Sequence, residues 1–167
     1  MRKLIFAFMI IGFSVTSYSQ TFEVPPMDIK PVSQTEYDAM EPTILSCINW
    51  LNITPLSIDA EKHTSANAYF MLWLTGTHKV NVVVDGYVLN YAEKNPELLM
   101  AFMTGWSKLA LEKGEKDNFK LALAGMTNLV NRYKNNVFFF KKDKKLKKLA
   151  ELSDRGELEA WLKGYVN

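Results

Sequence analysis

The chain of 167 residues has little of what catalytic, redox or metal chemistry usually requires. It holds one cysteine, Cys47, and two histidines, His63 and His78. A lone thiol closes no internal disulfide, which excludes a disulfide-stapled scaffold. There is no HExxH or CxxC, and the carboxylates do not cluster at calcium-loop spacing, so no donor set for a metal stands out. The eight glycines never fall into GxGxxG or P-loop spacing, which leaves no backbone cradle for a nucleotide phosphate. No cofactor is expected. Long apolar runs are also scarce, and none has the roughly 20 residues needed to span a bilayer.

The longest apolar run is N-terminal. Arg2 and Lys3 precede Leu4–Val15, an almost unbroken apolar stretch about as long as the core of a secretory signal. Ser17 and Ser19 then stand at −3 and −1 if cleavage falls before Gln20. Residues 1–19 are therefore expected to be a signal peptide, and the protein is expected in the periplasm or outside the cell. A lipoprotein signal would place a cysteine just after the apolar run, and Cys47 is far from it. Taking 19 from 167 leaves 148 residues, enough to bury about 68–70% of the unfolded surface in one domain.

Net charge is also lacking. Without Arg2 and Lys3 the chain has 18 basic and 18 acidic residues, and with export this argues against nucleic acid as a partner. The charges are unevenly spread. Residues 20–107 carry 4 basic and 10 acidic, a net of −6, whereas residues 108–148 carry 12 basic and 4 acidic, a net of +8. Such asymmetry either builds a dipolar surface for a partner or draws the two halves together on folding.

What is present is helical patterning. Residues 20–32 contain Pro25, Pro26 and Pro31 and read as an extended leader or tether. Ser33 and Glu36 have capping-box spacing, and Tyr37, Met40, Ile44, Ile48 and Leu51 continue at helical intervals. Pro42 predicts a kink or break in that helix. Ser57 reads as the next N-cap, before a helix that buries Phe70, Trp73 and Leu74 and stops at Gly76. Val80–Val84 is extended in character. Asp85-Gly86 then fits either a hairpin turn or the start of a short helix through Lys94, and the helix is preferred.

The clearest pattern covers 95–134. Asn95 caps, Pro96 takes the first helical position, and Leu98, Leu99, Phe102, Trp106, Leu109 and Ala110 form an apolar face opposite Ala101, Thr104, Lys108 and Glu112. Gly114 ends this helix. Phe119, Ala122, Leu123, Met126, Val130 and Tyr133 build the next, so the two pair antiparallel. Gly105 and Gly125 mark a close approach of backbones. Two short helices follow near 144–152 and 154–164. The hairpin lacks the signature of tetratricopeptide-type repeats. The stretch Lys94-Asn95-Pro96-Glu97-Leu98-Leu99 through Gly105-Trp106 resembles small, uncharacterised exported bacterial proteins over about half of the mature chain. That resemblance implies export and no particular activity.

Three groups of residues invite chemistry. Cys47, His63 and Asn67 are the residue types of a thiol hydrolase in the right order, yet Cys47 sits beside Ile48 on an apolar face, where a thiol is ordinarily a small hydrophobe. Asp59, His63 and Asn67 recur at i, i+4 and i+8, one helical stripe on which an Asp-oriented His could act as a general base. The competing reading is that the three satisfy one another at the end of a bundle. Lys141, Lys142, Lys144, Lys145, Lys147 and Lys148 follow Phe138-Phe139-Phe140. Leu146, Leu149 and Leu152 make this segment an amphipathic helix with the lysines as its solvated face, and the alternative is a grip on an anionic surface.

The expectation is a mainly α, compact multi-helix bundle over 33–167 with a central antiparallel hairpin and one short extended or β segment at 80–84. Its expected work is non-catalytic binding or assembly with a protein or envelope component. A hydrolase-like site around Asp59, His63 and Asn67, or an anionic-surface binder, are the alternatives.

Overall fold

The hairpin expected over 95–134 is the centre of the computed structural model, which describes residues 22–28 and 30–166. The signal peptide at 1–19 and the proposed new terminus at Gln20 lie outside the described residues. Seven helices make up the described fold: α1 Gln34–Ile53, α2 Ala60–Gly76, α3 Gly86–Ala92, α4 Pro96–Lys113, α5 Asn118–Asn135, α6 Lys144–Asp154 and α7 Leu158–Leu162. The protein is mainly α, a compact helical bundle. Residues 80–85 form no strand, and α3 follows them rather than a second hairpin arm.

Helix α4 is the axis. It packs on α5 along its length and touches α1 and α3 as well, while α6 and α7 lie on α5. For that reason its buried surface is wider than an amphipathic stripe. Ala101 and Thr104, expected on the outer side, are buried together with Phe102, Met103, Trp106 and Ser107. The close approach at the glycines is real: a Cβ on Gly105 would fall 2.6 Å from Asn128 Cβ, and one on Gly125 would fall 2.7 Å from two carbons of the Phe102 ring. Gly114, with φ +62°, closes α4 in the left-handed conformation that glycine accepts without strain.

Several local expectations are corrected. Helix α1 runs unbroken through Pro42, since Ile44, Cys47, Ile48 and Leu51 beyond the proline are all buried and hold the helix against its neighbours. At its start Ser33 accepts from the Glu36 N–H, but the Glu36 carboxylate turns to the Val32 N–H at 2.8 Å, one residue before the position of an ideal capping box. The cap of α2 is Asp59, not Ser57: in a left-handed conformation (φ 50°) its Oδ1 accepts from the Lys62 N–H at 3.0 Å. Gly76 is the last helical residue of α2, and its lack of a side chain makes room for the Tyr37 ring rather than for a left-handed turn.

Residues 22–28 and 30–32 form neither helix nor strand, and this leader is docked on the core. Phe22 is buried against Trp50 and Tyr69, with ring centroids 6.3 and 6.5 Å away, and Val24 packs on the same core.

Candidate functional site

The stripe Asp59–His63–Asn67 does not assemble. Asp59 stands outside the helical turn as its cap, so its carboxylate faces the backbone of α2 and leaves the helical stripe. His63 is buried at 4% exposure, and its ring lies against Trp50 with centroids 4.7 Å apart. Nε2 stands 3.1 Å from the Pro55 carbonyl, which can only accept, so Nε2 carries the hydrogen and Nδ1 is left a buried acceptor without a partner. Burial dominates its titration and holds the imidazole below its ordinary pKa, partly offset by the Pro55 bond, with the Arg132 charge also acting downward. Asn67 has no described hydrogen bond to either residue. It borders a cavity of about 10 Å3, room for one water, together with Asn52, Glu97, Thr104 and Arg132.

Cys47 is equally withdrawn. It has no exposure, its Sγ–H donates to the Ala66 carbonyl at 3.4 Å, and burial pushes the thiol up to about 12. The thiolate that nucleophilic chemistry needs is absent near neutral pH. No group of three or more His, Cys, Asp or Glu side chains converges on a possible metal position among the described residues. No described helix is long and apolar enough to cross a membrane.

The structure offers instead a groove of about 620 Å3 along the hairpin, between the end of α1 and the outer faces of α4 and α5. Gly105 and Ala124 line it where the two helices meet closely, and Leu109 and Leu123 add apolar surface. One end is built of amides. Asn128 Nδ2 donates toward Asn52 Oδ1 at 2.9 Å, the Ala101 carbonyl at 2.7 Å and Thr104 Oγ1 at 3.1 Å, while Thr104 Oγ1 donates to Asn52 Oδ1 at 2.9 Å. Asn52 thereby keeps an amide donor, and Asn128 an amide acceptor, without a partner among the described residues. The charged end is internally balanced. Lys108 reaches Asn49 Oδ1 at 2.6 Å and Glu112 at 3.8 Å, and Lys120 pairs with Glu115 at 3.2 Å.

Arg132 is the other polar residue that sequence reasoning missed. Half a turn from the groove it is almost buried, and Nη1 donates to the Thr54 carbonyl at 2.7 Å, tying α5 to the end of α1. Its position was readable, because Arg132 lies at i+3 from Leu129 and next to Tyr133, inside the apolar stripe. Asn52 and Asn128 gave no such signal, since their pairing joins residues 76 apart in sequence.

Lys144, Lys145, Lys147 and Lys148 lie on a solvated face of α6, and Lys141 and Lys142 stand just before it. Leu146 and Leu149 are buried, and Lys141, Lys142, Lys144, Lys145, Lys147 and Lys148 are all exposed. Comparison with known proteins returns no matching family model, no matching curated protein and no matching solved structure.

Proposed function

We propose that this chain is an exported binding domain, working in the envelope or outside the cell without chemistry of its own. The observation that carries the reading is the hairpin groove. Its volume lies within the range of small-ligand sites, and its lining combines an apolar floor with a few convergent polar groups. Because Lys108 and Lys120 are already paired with Glu112 and Glu115, the groove favours a neutral ligand. The free donor on Asn52 and free acceptor on Asn128 suit an amide or hydroxyl group, with an apolar part lying on Leu109 and Leu123.

In-cell photo-crosslinking tests this. A photoreactive residue at Thr127, on the groove wall, is expected to give discrete adducts with envelope or extracellular molecules. The same residue at Glu61, exposed at the start of α2, is the control. Equal labelling from both positions, or adducts only with cytoplasmic molecules, would reject the reading.

A further inference from the structure

The solvated-face reading accounts for the lysines but not for the residues just before them. Val137, Phe138 and Phe139 form the turn between α5 and α6, and all three face solvent. Phe138 is 102% exposed, as open as in an isolated peptide. The turn is nonetheless held in place. The Phe139 N–H donates to the Asn136 carbonyl at 2.8 Å, and Phe140 turns inward onto Tyr133 with centroids 6.0 Å apart. Anchored by Phe140, the three preceding apolar residues project outward together.

Positive charge lies beside this apolar tip. The surface beside it, formed with the start of α4 and the end of α3, holds Lys94, Lys141, Lys142, Lys144 and Lys145 against Glu93, Glu97 and Asp143, five lysines to three acids. The Asp143 carboxylate is committed to capping α6, where it accepts from the N–H groups of Lys145 and Leu146 at 2.7 and 3.3 Å. None of the five lysines has an ion-pair partner among the described residues.

We infer that this turn and its lysines dock the domain onto an anionic lipid surface, with Val137, Phe138 and Phe139 entering the boundary between headgroups and acyl chains. Charge complementarity identifies the occupant. Lysines without partners at an apolar tip match the phosphate layer lying above hydrocarbon. A second copy of the chain fits poorly, because a symmetric contact would set the lysines of one copy against those of the other. Nucleic acid fits poorly as well: Val137 has no ring on which a base could stack. The inference rests on the reading of the chain as a binding domain but uses a different surface from the groove, so it can fail while the Thr127 adducts remain.

Vesicle co-sedimentation of the purified protein decides it. At low salt the protein is expected to pellet with vesicles containing about one-third phosphatidylglycerol and to stay soluble with phosphatidylcholine alone, with binding fading by about 0.2 M salt. Phe138→Ser, at a side chain that touches little, should weaken binding about tenfold and leave thermal unfolding unchanged. Lys141→Gln, Lys142→Gln, Lys144→Gln and Lys145→Gln combined should cost about fivefold per lysine and flatten the salt dependence. Equal pelleting with both lipids, no pelleting with either, or binding indifferent to Phe138→Ser would each overturn the inference. So would a dimer in lipid-free solution that Phe138→Ser dissolves.

Discussion

Replacing Gly125 by alanine tests the packing at the centre of the fold with a sign that local propensity gets wrong. In an exposed helix interior, Gly→Ala stabilises by about 1 kcal/mol because alanine loses less backbone freedom on folding. At Gly125 the added Cβ would lie 2.7 Å from Cδ2 and Cε2 of Phe102 and 2.9 Å from its carbonyl oxygen, whereas ordinary contact begins at 3.4 Å. The Phe102 ring has no exposure and packs against Trp106 and Tyr87, with centroids 5.8 and 6.3 Å away, so it has nowhere to swing. Relief must come from moving α4 and α5 apart by about 0.7 Å, which also stretches the 2.7 Å bond from Asn128 to the Ala101 carbonyl. Overpacking costs about 1–3 kcal/mol, and with an enclosed ring and a backbone oxygen both in the way Gly125 belongs to the upper part of that range, about 2–3 kcal/mol. Net of the propensity gain, Gly125→Ala should destabilise by about 1–2 kcal/mol in urea titrations followed by tryptophan fluorescence. Gly105→Ala should behave alike, and the double variant should lose less than the sum, since the first separation makes room for the second methyl. Gly86→Ala, with nothing within 4 Å of its added Cβ, serves as the control and should be neutral or slightly stabilising. A Gly125→Ala variant as stable as the parent would refute the close approach.

Two further outcomes follow from the buried polar groups. His63 titrates below 6.5 in the fold, so the unfolded chain takes up its proton first. Its contribution is complete above about pH 6.5 and is lost as pH falls below that value, at a slope of up to about 1.4 kcal/mol per pH unit. His63→Phe should flatten this part of the stability profile between about pH 7.5 and pH 5.5, and an unchanged slope would count against a buried neutral imidazole. Asn136→Ala removes an acceptor for the Leu56 N–H at 2.7 Å and a donor to the Arg132 carbonyl at 2.9 Å. Leaving a buried polar group unpaired costs about 1–3 kcal/mol, and a loss below about 0.5 kcal/mol by denaturant titration would mean that water replaces both bonds.

The fold was legible wherever one periodic stripe met one neighbour. The hairpin, its Gly114 stop and the short α3 were all read from spacing, because a 3.6-residue period and a left-handed closing residue are local properties. The limits appeared where a helix is enclosed from several sides. Ala101 and Thr104 looked outward-facing because the period shows which face is most apolar, not how many neighbours surround a helix. Pro42 misled for a related reason, since its local cost is outweighed by burial of Ile44, Cys47 and Ile48 further along. The Asp59–His63–Asn67 stripe failed at its first member. Once Asp59 takes the cap, its carboxylate is engaged by the Lys62 N–H, and the His63 ring nitrogen meets the Pro55 carbonyl instead. The groove was illegible altogether, because its amide cluster joins Asn52, Thr104 and Asn128 across three helices.

The described ion pairs bear on the uneven charge along the chain, although Glu97 of the acidic part does act on Arg132 of the basic part. Were the acidic residues of 20–107 and the basic residues of 108–148 drawn together on folding, ion pairs should join them. The described pairs do not. Lys62–Glu23, Lys79–Glu41 and Lys79–Asp38 stay within the acidic part, Lys108–Glu112 and Lys120–Glu115 within the basic part, and Lys134 and Lys147 turn to Asp154 and Glu151 further along. These contacts neutralise locally and are worth little individually at the surface. The excess positive charge of 141–148 is therefore left facing solvent. At physiological salt a charge is felt over about 8 Å, so what approaches the tip at Phe138 meets mainly the neighbouring charges, five lysines against Glu93, Glu97 and Asp143. Residues 20–167 balance 18 basic against 18 acidic residues, yet lysines without a described ion-pair partner stand beside the exposed turn that holds Phe138.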